Sequence, residues 1–148
     1  MARRKSYHAG MKLPITGGCA CGAIRYESSA SPLFALNCHC RDCQRASGGG
    51  FSSVFIFPES AVTFSGVPRY HEVKSSRGTA RRGFCADCGS PLFGHGSTGP
   101  GLVGIKPASL DDPSCFEPLI DIWTASAQAW TKMDPALPKF PGAPPHGQ

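Results

Sequence analysis

Thr79-Ala80-Arg81-Arg82-Gly83-Phe84-Cys85-Ala86-Asp87-Cys88-Gly89-Ser90-Pro91-Leu92-Phe93-Gly94 reads as two short strands, Thr79 to Phe84 and Pro91 to Gly94, joined by a Cys-x-x-Cys-Gly turn. Such a turn brings two thiolates to the roughly 3.8 Å separation that a tetrahedral metal with sulfur bonds of about 2.3 Å requires. Gly89 follows at a position where positive φ is often needed, and glycine supplies it at least steric cost. Two more clusters lie upstream, Cys19-Ala20-Cys21 and Cys38-His39-Cys40-Arg41-Asp42-Cys43. In an extended segment residues i and i+2 share a side, so Cys19 with Cys21, and Cys38 with Cys40, aim at one point while His39 faces away. If Cys40 ends a strand and Asp42 to Arg45 opens a helical turn, Cys43 swings back beside the other two sulfurs. The two dyads supply four ligands and the triad three. A closed zinc site uses four protein ligands and a catalytic zinc three. Two zinc ions per chain, one structural and one open, is the simplest partition.

The competing reading of eight cysteines is a disulfide framework, which belongs to small secreted chains. Met1 to Gly10 carries Arg3, Arg4 and Lys5, but no apolar core follows, and no stretch approaches the length of a membrane span. The expectation is a cytoplasmic protein with reduced thiols. Cys115, alone beside Phe116, reads as a small buried hydrophobe.

With 148 residues the chain suits one domain with a real core, to which two metal sites would add. Gly 18 and Pro 14 favour short strands and turns over long helices. Strands are expected at Ala23 to Glu27, Leu33 to Asn37, Ser52 to Phe57, Ala61 to Ser65 and Arg69 to Val73, then at the two strands quoted above, Leu102 to Ile105 and Leu119 to Trp123. One short helical turn is expected at Arg41 to Ser47. The pattern predicts a mainly β zinc-stabilised domain over 11–132, after a loose start over 1–10. Residues 133–148 carry Pro135, Pro138, Pro141, Pro144 and Pro145 and read as an extended arm that docks without regular structure.

The formal charge of +5 counts every cysteine as neutral. Seven thiolates and two zinc ions would bring it to about +2, which is no nucleic-acid footprint. Arg77, Arg81 and Arg82 could hold a substrate carboxylate or form a surface ladder. For acid–base work the candidates are His39, Asp42 and Arg41 inside the triad motif and His95 beyond it. His39 is expected to point away, and Asp42 to cap the turn. His95 reads more simply as a solvated loop residue, His71 as a surface residue, and His8 and His146 as tail residues. Gly48-Gly49-Gly50 reads either as a plain loop or as backbone N–H donors for an alkoxide. Phe51, Phe55, Phe57, Phe64 and Phe93 are most simply core, as is Trp123, whereas Trp130 lines a pocket or closes the arm.

The run Thr16-Gly17-Gly18-Cys19-Ala20-Cys21-Gly22-Ala23-Ile24-Arg25-Tyr26, then Cys38 to Cys43 with Ser47-Gly48, then Arg82 to Ser90, resembles the glutathione-dependent formaldehyde-activating enzyme family, which also contains centromere protein V. The resemblance runs from about residue 13 to about residue 140 and includes Ala108-Ser109-Leu110-Asp111-Asp112-Pro113 and Ile122 to Ser126. It implies tent-like stacked antiparallel sheets with a structural zinc on Cys19, Cys21, Cys85 and Cys88 and a catalytic zinc on Cys38, Cys40 and Cys43. It also implies formation or cleavage of S-hydroxymethylglutathione, a carbon–sulfur lyase activity, with glutathione and formaldehyde as small-molecule partners.

Three thiolates make zinc a poor acidifier of water but a reasonable anchor for a fourth sulfur. The expected function is therefore a zinc-dependent lyase of thiol–aldehyde adducts, with the substrate sulfur at the open position. Two other classes stand beside it, a non-catalytic zinc-stabilised binding module and a thiol or metal redox sensor.

Overall fold

Strand Ser52–Pro58 (β4) shows how the core is built. Phe55 and Phe57 point to one side and are almost wholly buried, while Val54 and Ile56 pack on the other. This period-2 alternation with apolar residues on both faces marks a strand covered from two sides. The computed structural model describes residues 11–75, 78–96 and 99–144. Among these, the remaining strands are Ile15–Gly18 (β1), Arg25–Ser28 (β2), Phe34–Cys38 (β3), Val62–Ser65 (β5), Arg69–Ser75 (β6), Gly78–Phe84 (β7), Pro91–His95 (β8), Leu102–Ile105 (β9) and Ile120–Ile122 (β10). Helix α1 spans Arg41–Ser47.

The strands form a seven-stranded sheet in the order β10-β3-β4-β9-β8-β7-β6 and a three-stranded sheet in the order β1-β2-β5. Neighbours are antiparallel except β10, which runs parallel to β3. The small sheet lies over one face of the large one. Ile15, Ile24 and Tyr26 join Ala35, Phe55, Phe57, Leu92, Phe93, Val103 and Ile105 in one buried cluster. Phe64 bridges the sheets, with ring centroids 5.7 Å from Tyr26 and 4.4 Å from Phe93. A second cluster of Leu36, Cys38 and Ile122, with Phe34, Val54, Ile56, Trp123 and Phe140 packed on it, covers the opposite face of β3 and β4.

Each expected strand and the helix are present. β1 was not among the expected strands, and tight packing is what keeps its glycines small. A Cβ on Gly17 would lie 2.3 Å from the Tyr26 hydroxyl and 2.5 Å from the Ser109 carbonyl. The mainly β architecture agrees with the sequence reading.

The proline-rich segment docks along β10 by backbone hydrogen bonds. Asp121 N–H donates to the Pro138 carbonyl and Phe140 N–H to the Asp121 carbonyl, both at 3.0 Å. Trp123 N–H donates to the Gly142 carbonyl at 3.0 Å. The arm thereby satisfies what would be an open sheet edge. Pro145 and His146, like His8, Arg3, Arg4, Lys5 and Arg77, lie outside the described residues.

The aromatic expectations divide. Phe55, Phe57 and Phe93 are core, whereas Phe64 and Phe51 are half-buried. Trp123 packs on the second cluster rather than in the main core and has a positive φ of 56°. Trp130 is 69% exposed. Cys115 is half-buried against the main cluster, short of full burial.

Candidate metal centres

The first cysteine pair sits in the turn from β1 to β2. Cys19 N–H donates to the Ile24 carbonyl at 3.0 Å and Gly22 N–H to the Cys19 carbonyl at 3.2 Å, so the turn is closed by its own backbone. The second pair sits in the β7–β8 turn, closed by Cys85 N–H to Ser90 carbonyl at 3.0 Å and Gly89 N–H to Cys85 carbonyl at 2.8 Å. Gly89 takes φ 76°, the left-handed value anticipated for it. The four sulfurs lie within 4.8 Å of one another. Cys19 and Cys21 sulfurs are 3.6 Å apart and those of Cys21 and Cys85 3.7 Å. These separations match a tetrahedral thiolate set and are far too long for a disulfide. Ser90 ties the turns together, its hydroxyl accepting from Ala20 N–H at 3.0 Å and contacting Cys88 Sγ at 3.2 Å.

The triad forms where β3 runs into α1. Cys38 ends the strand and is buried, Cys40 is the helix N-cap, and Cys43 lies in the first turn. Cys43 N–H donates to Cys40 Sγ at 3.3 Å. The Cys38 and Cys43 thiols, together with this N–H, hold the Cys40 thiol well below its ordinary pKa. Cys40 first, and then Cys43, push the Cys38 thiol up, with burial adding to it. Three such crowded thiols cannot all ionise without a cation among them, and their sulfurs too lie within 4.8 Å. Both clusters could hold a metal ion.

His39 does point away from the triad, but not into solvent. It is fully buried, its ring 5.1 Å from that of Phe51 and its Nε2 2.9 Å from Asp121 Oδ1. Asp121 also accepts from Asn37 Nδ2 at 3.3 Å, and Ser53 Oγ donates to Asn37 Oδ1 at 2.8 Å. Gln44 Nε2 donates to the His39 carbonyl at 2.7 Å and to the Ser126 carbonyl at 3.0 Å. This polar network grips the residue between Cys38 and Cys40 and fixes the loop. His39 Nδ1 and Asp121 Oδ2 have no hydrogen-bond partner.

Two cavities flank α1. One, of about 620 Å³, is walled by Cys19, Arg25, Ser47, Ser52, Ser53, Ser90, Lys106 and Asp111, among others. The second, of about 580 Å³, is walled by Asp42, Arg45, His71, Glu72, Lys74, Arg82 and Lys106, among others. Ala46, Pro91 and Lys106 border both. No triad cysteine lines either, but Ser52 is the register partner of Cys38 and Ala46 lies one turn beyond Cys43. Burial lowers the basicity of the Lys106 amine, while the nearby Cys43, Cys38 and Cys40 thiolates oppose that shift and Arg82 adds to it.

Several expected roles are not met. Gly48 N–H donates to the Gln44 carbonyl at 2.9 Å as the helix C-cap, and Gly49 N–H to Ser47 Oγ at 3.1 Å, so neither is available to an alkoxide. His95 borders a different cavity with Glu59, Tyr70 and Arg81, its Nδ1 3.4 Å from Glu59 Oε1. Arg81 lies over the Tyr70 ring at 4.1 Å, and His71 is exposed, as expected. Asp42 and Arg41 are exposed in the first helical turn, where Cys40, not Asp42, is the cap. Asp121 was missed, though one acid in Leu119-Ile120-Asp121-Ile122-Trp123 was a visible anomaly. Lys106 was missed too, and nothing local singled it out.

A sequence model described as glutathione-dependent formaldehyde-activating enzyme matches residues 14–126, which hold all seven clustered cysteines. The chain belongs to that family. A protein of Penicillium rubens that carries the family's name is 35% identical over 79 residues, covering 52% of this chain and 41% of the relative. One of Sordaria macrospora is 32% identical over 89 residues, covering 56% and 38%. The chain thus matches about two fifths of these relatives' length. A crystal structure of a Rhodobacter sphaeroides protein shares the fold, with a TM-score of 0.54 at 22% identity over 65% of this chain and 87% of that one. Among the described residues no helix is long and apolar enough to cross a membrane.

Proposed function

We propose that this chain is a zinc-dependent carbon–sulfur lyase that makes and breaks adducts of a thiol with an aldehyde, of the S-hydroxymethylglutathione type. The observation that carries the reading is the difference between the two cysteine clusters. Cys19, Cys21, Cys85 and Cys88 offer four sulfurs from two backbone-closed turns, which would complete a tetrahedral metal and leave it nothing further to bind. Cys38, Cys40 and Cys43 offer three, in six residues. When bound there, zinc would supply a fourth position at which a thiol loses its proton more easily.

The chain's own residues supply the rest. Cys40 is held as the helix cap, and Cys38 and Cys43 are set by strand and helix, so the three sulfurs converge with little freedom. His39 and Asp121 hold the connecting loop from behind. The cavity bordered by four cations, Arg45, Lys74, Arg82 and Lys106, against two carboxylates, Asp42 and Glu72, suits an anionic thiol of peptide size, and family membership supports glutathione as that thiol. Cavities beside the triad favour an enzyme over a scaffold, which has no use for them.

Exchange NMR on formaldehyde mixed with candidate thiols tests the reading. Holo protein should accelerate exchange between free and thiol-bound formaldehyde, while demetallated protein and a Cys40→Ser variant should not. Equal rates with and without protein would remove the lyase assignment.

A further inference from the structure

Lys106 follows β9, and its backbone is fixed by an N–H bond to the Leu92 carbonyl at 2.8 Å. Its amine donates to Ser52 Oγ, opposite Cys38 across the β3–β4 pair. An ammonium carries three donors, so two remain. No carboxylate pairs with this lysine among the described residues. The charges acting on it most are the triad thiols and Arg82, and the cavity-wall carboxylates Asp111, Asp42 and Glu72 form no ion pair with it. A cation in a desolvated wall that lacks a carboxylate partner is suited to a negative group arriving from the cavity, and here both cavities open onto it.

We propose that Lys106 is a catalytic residue of the thiol–aldehyde reaction, donating a hydrogen bond from its ammonium to the aldehyde oxygen. The assignment rests on the function proposed above. In the forming direction the substrate's thiolate sulfur attacks the aldehyde carbon and the C–S bond forms. The carbonyl π pair moves onto oxygen, and the resulting alkoxide is held by Lys106 until it takes a proton from water. Cleavage is the reverse: the hydroxyl proton leaves to water, the C=O bond reforms, and the C–S pair returns to sulfur. The reacting oxygen is only two bonds from sulfur, so its partner must be close to the triad, and Lys106 bonds the register partner of Cys38. Arg45 on α1 and Lys74 on β6 are exposed residues of the second cavity and suit other substrate charges. Of the three glycines after the helix, Gly48 and Gly49 have their N–H groups already engaged.

The test compares holo wild type with Lys106→Met, Lys106→Arg and Ser52→Ala, using glutathione and 2-mercaptoethanol, which has no carboxylate. Exchange NMR gives rates, and absorption of the cobalt-substituted proteins gives thiol dissociation constants. Lys106→Met should lower the exchange rate about 100-fold with both thiols, the scale for losing one oxyanion donor, while thiol affinity changes by less than about twofold. Lys106→Arg should recover part of the rate, and Ser52→Ala, which frees the amine without removing it, should lose less. A loss confined to glutathione would make Lys106 a carboxylate contact and overturn the proposal. So would a full rate in Lys106→Met, or a loss matched by weaker thiol or metal binding. A wild type that does not accelerate exchange at all removes the parent reading and this assignment with it. An active wild type beside a fully active Lys106→Met removes this assignment alone.

Discussion

Replacing Asp121 by alanine separates the support of the triad from the triad itself. Asp121 Oδ1 accepts from His39 Nε2 at 2.9 Å and from Asn37 Nδ2 at 3.3 Å, and all three side chains are buried. Alanine leaves two buried donors without an acceptor, at about 1–3 kcal/mol each. The two orphaned donors together make a loss of about 4 kcal/mol the expected scale. For a chain of this size that is a fall in Tm of about 8–16 °C. His39 lies between Cys38 and Cys40, so metal affinity at the triad should fall about 10–100-fold, the usual effect of losing a group that orients a ligand. Asp121→Asn keeps an acceptor for His39 and should cost about 1 kcal/mol. Urea unfolding measures the first quantity and competition with a chromophoric chelator the second. An Asp121→Ala protein within about 0.5 kcal/mol of wild type and with unchanged affinity would refute the reasoning.

The clasp and the triad should respond differently to mutation. Cys85→Ser cuts a link between turns whose sulfurs, Cys21 and Cys85, are 64 positions apart, and should lower the unfolding midpoint more than Cys40→Ser; native mass spectrometry should show Cys40→Ser retaining one metal. Gly83→Ala places a Cβ 2.3 Å from the buried Phe93 ring, and thermal melts should show a loss of about 1–3 kcal/mol. Asp111 is held at a pKa of about 2, first by the Arg25 guanidinium and then by the Thr16 hydroxyl. Its contribution is present above the unfolded value of 3.8 and fades as pH falls toward 2, so the Tm difference between wild type and Asp111→Asn should narrow over that window; it stays small because the side chain is 46% exposed. Truncation before Pro138 removes Phe140 and the acceptors for the Asp121 and Trp123 N–H groups, which should then exchange faster by hydrogen-exchange mass spectrometry.

The legible parts of this protein are those that rest on near neighbours in the chain. Strand alternation in β4, the turn chemistry of Cys85 to Gly89 and the strand-to-helix switch at Cys40 each concern a few consecutive residues. β1 was hidden because Gly17 and Gly18 carry no side-chain pattern, and only contact with Tyr26 and Ser109 shows why they are small. Of the Gly48-Gly49-Gly50 run, read either as a loop or as oxyanion donors, Gly48 N–H caps the end of α1 and Gly49 N–H bonds Ser47 Oγ. His95, read more simply as a solvated loop residue, ends β8 and is held 3.4 Å from Glu59 at a third cavity.

Sequence by itself determined the three cysteine clusters and their division into four and three, because ligand spacing within each cluster is local geometry. Only the tertiary structure decided which other groups are brought near them. His39 meets Asp121 across 82 positions, and Lys106 reaches Ser52 across 54. Pairings at that range are set by how strands β3, β4, β9 and β10 stack in one sheet, and no local pattern encodes them.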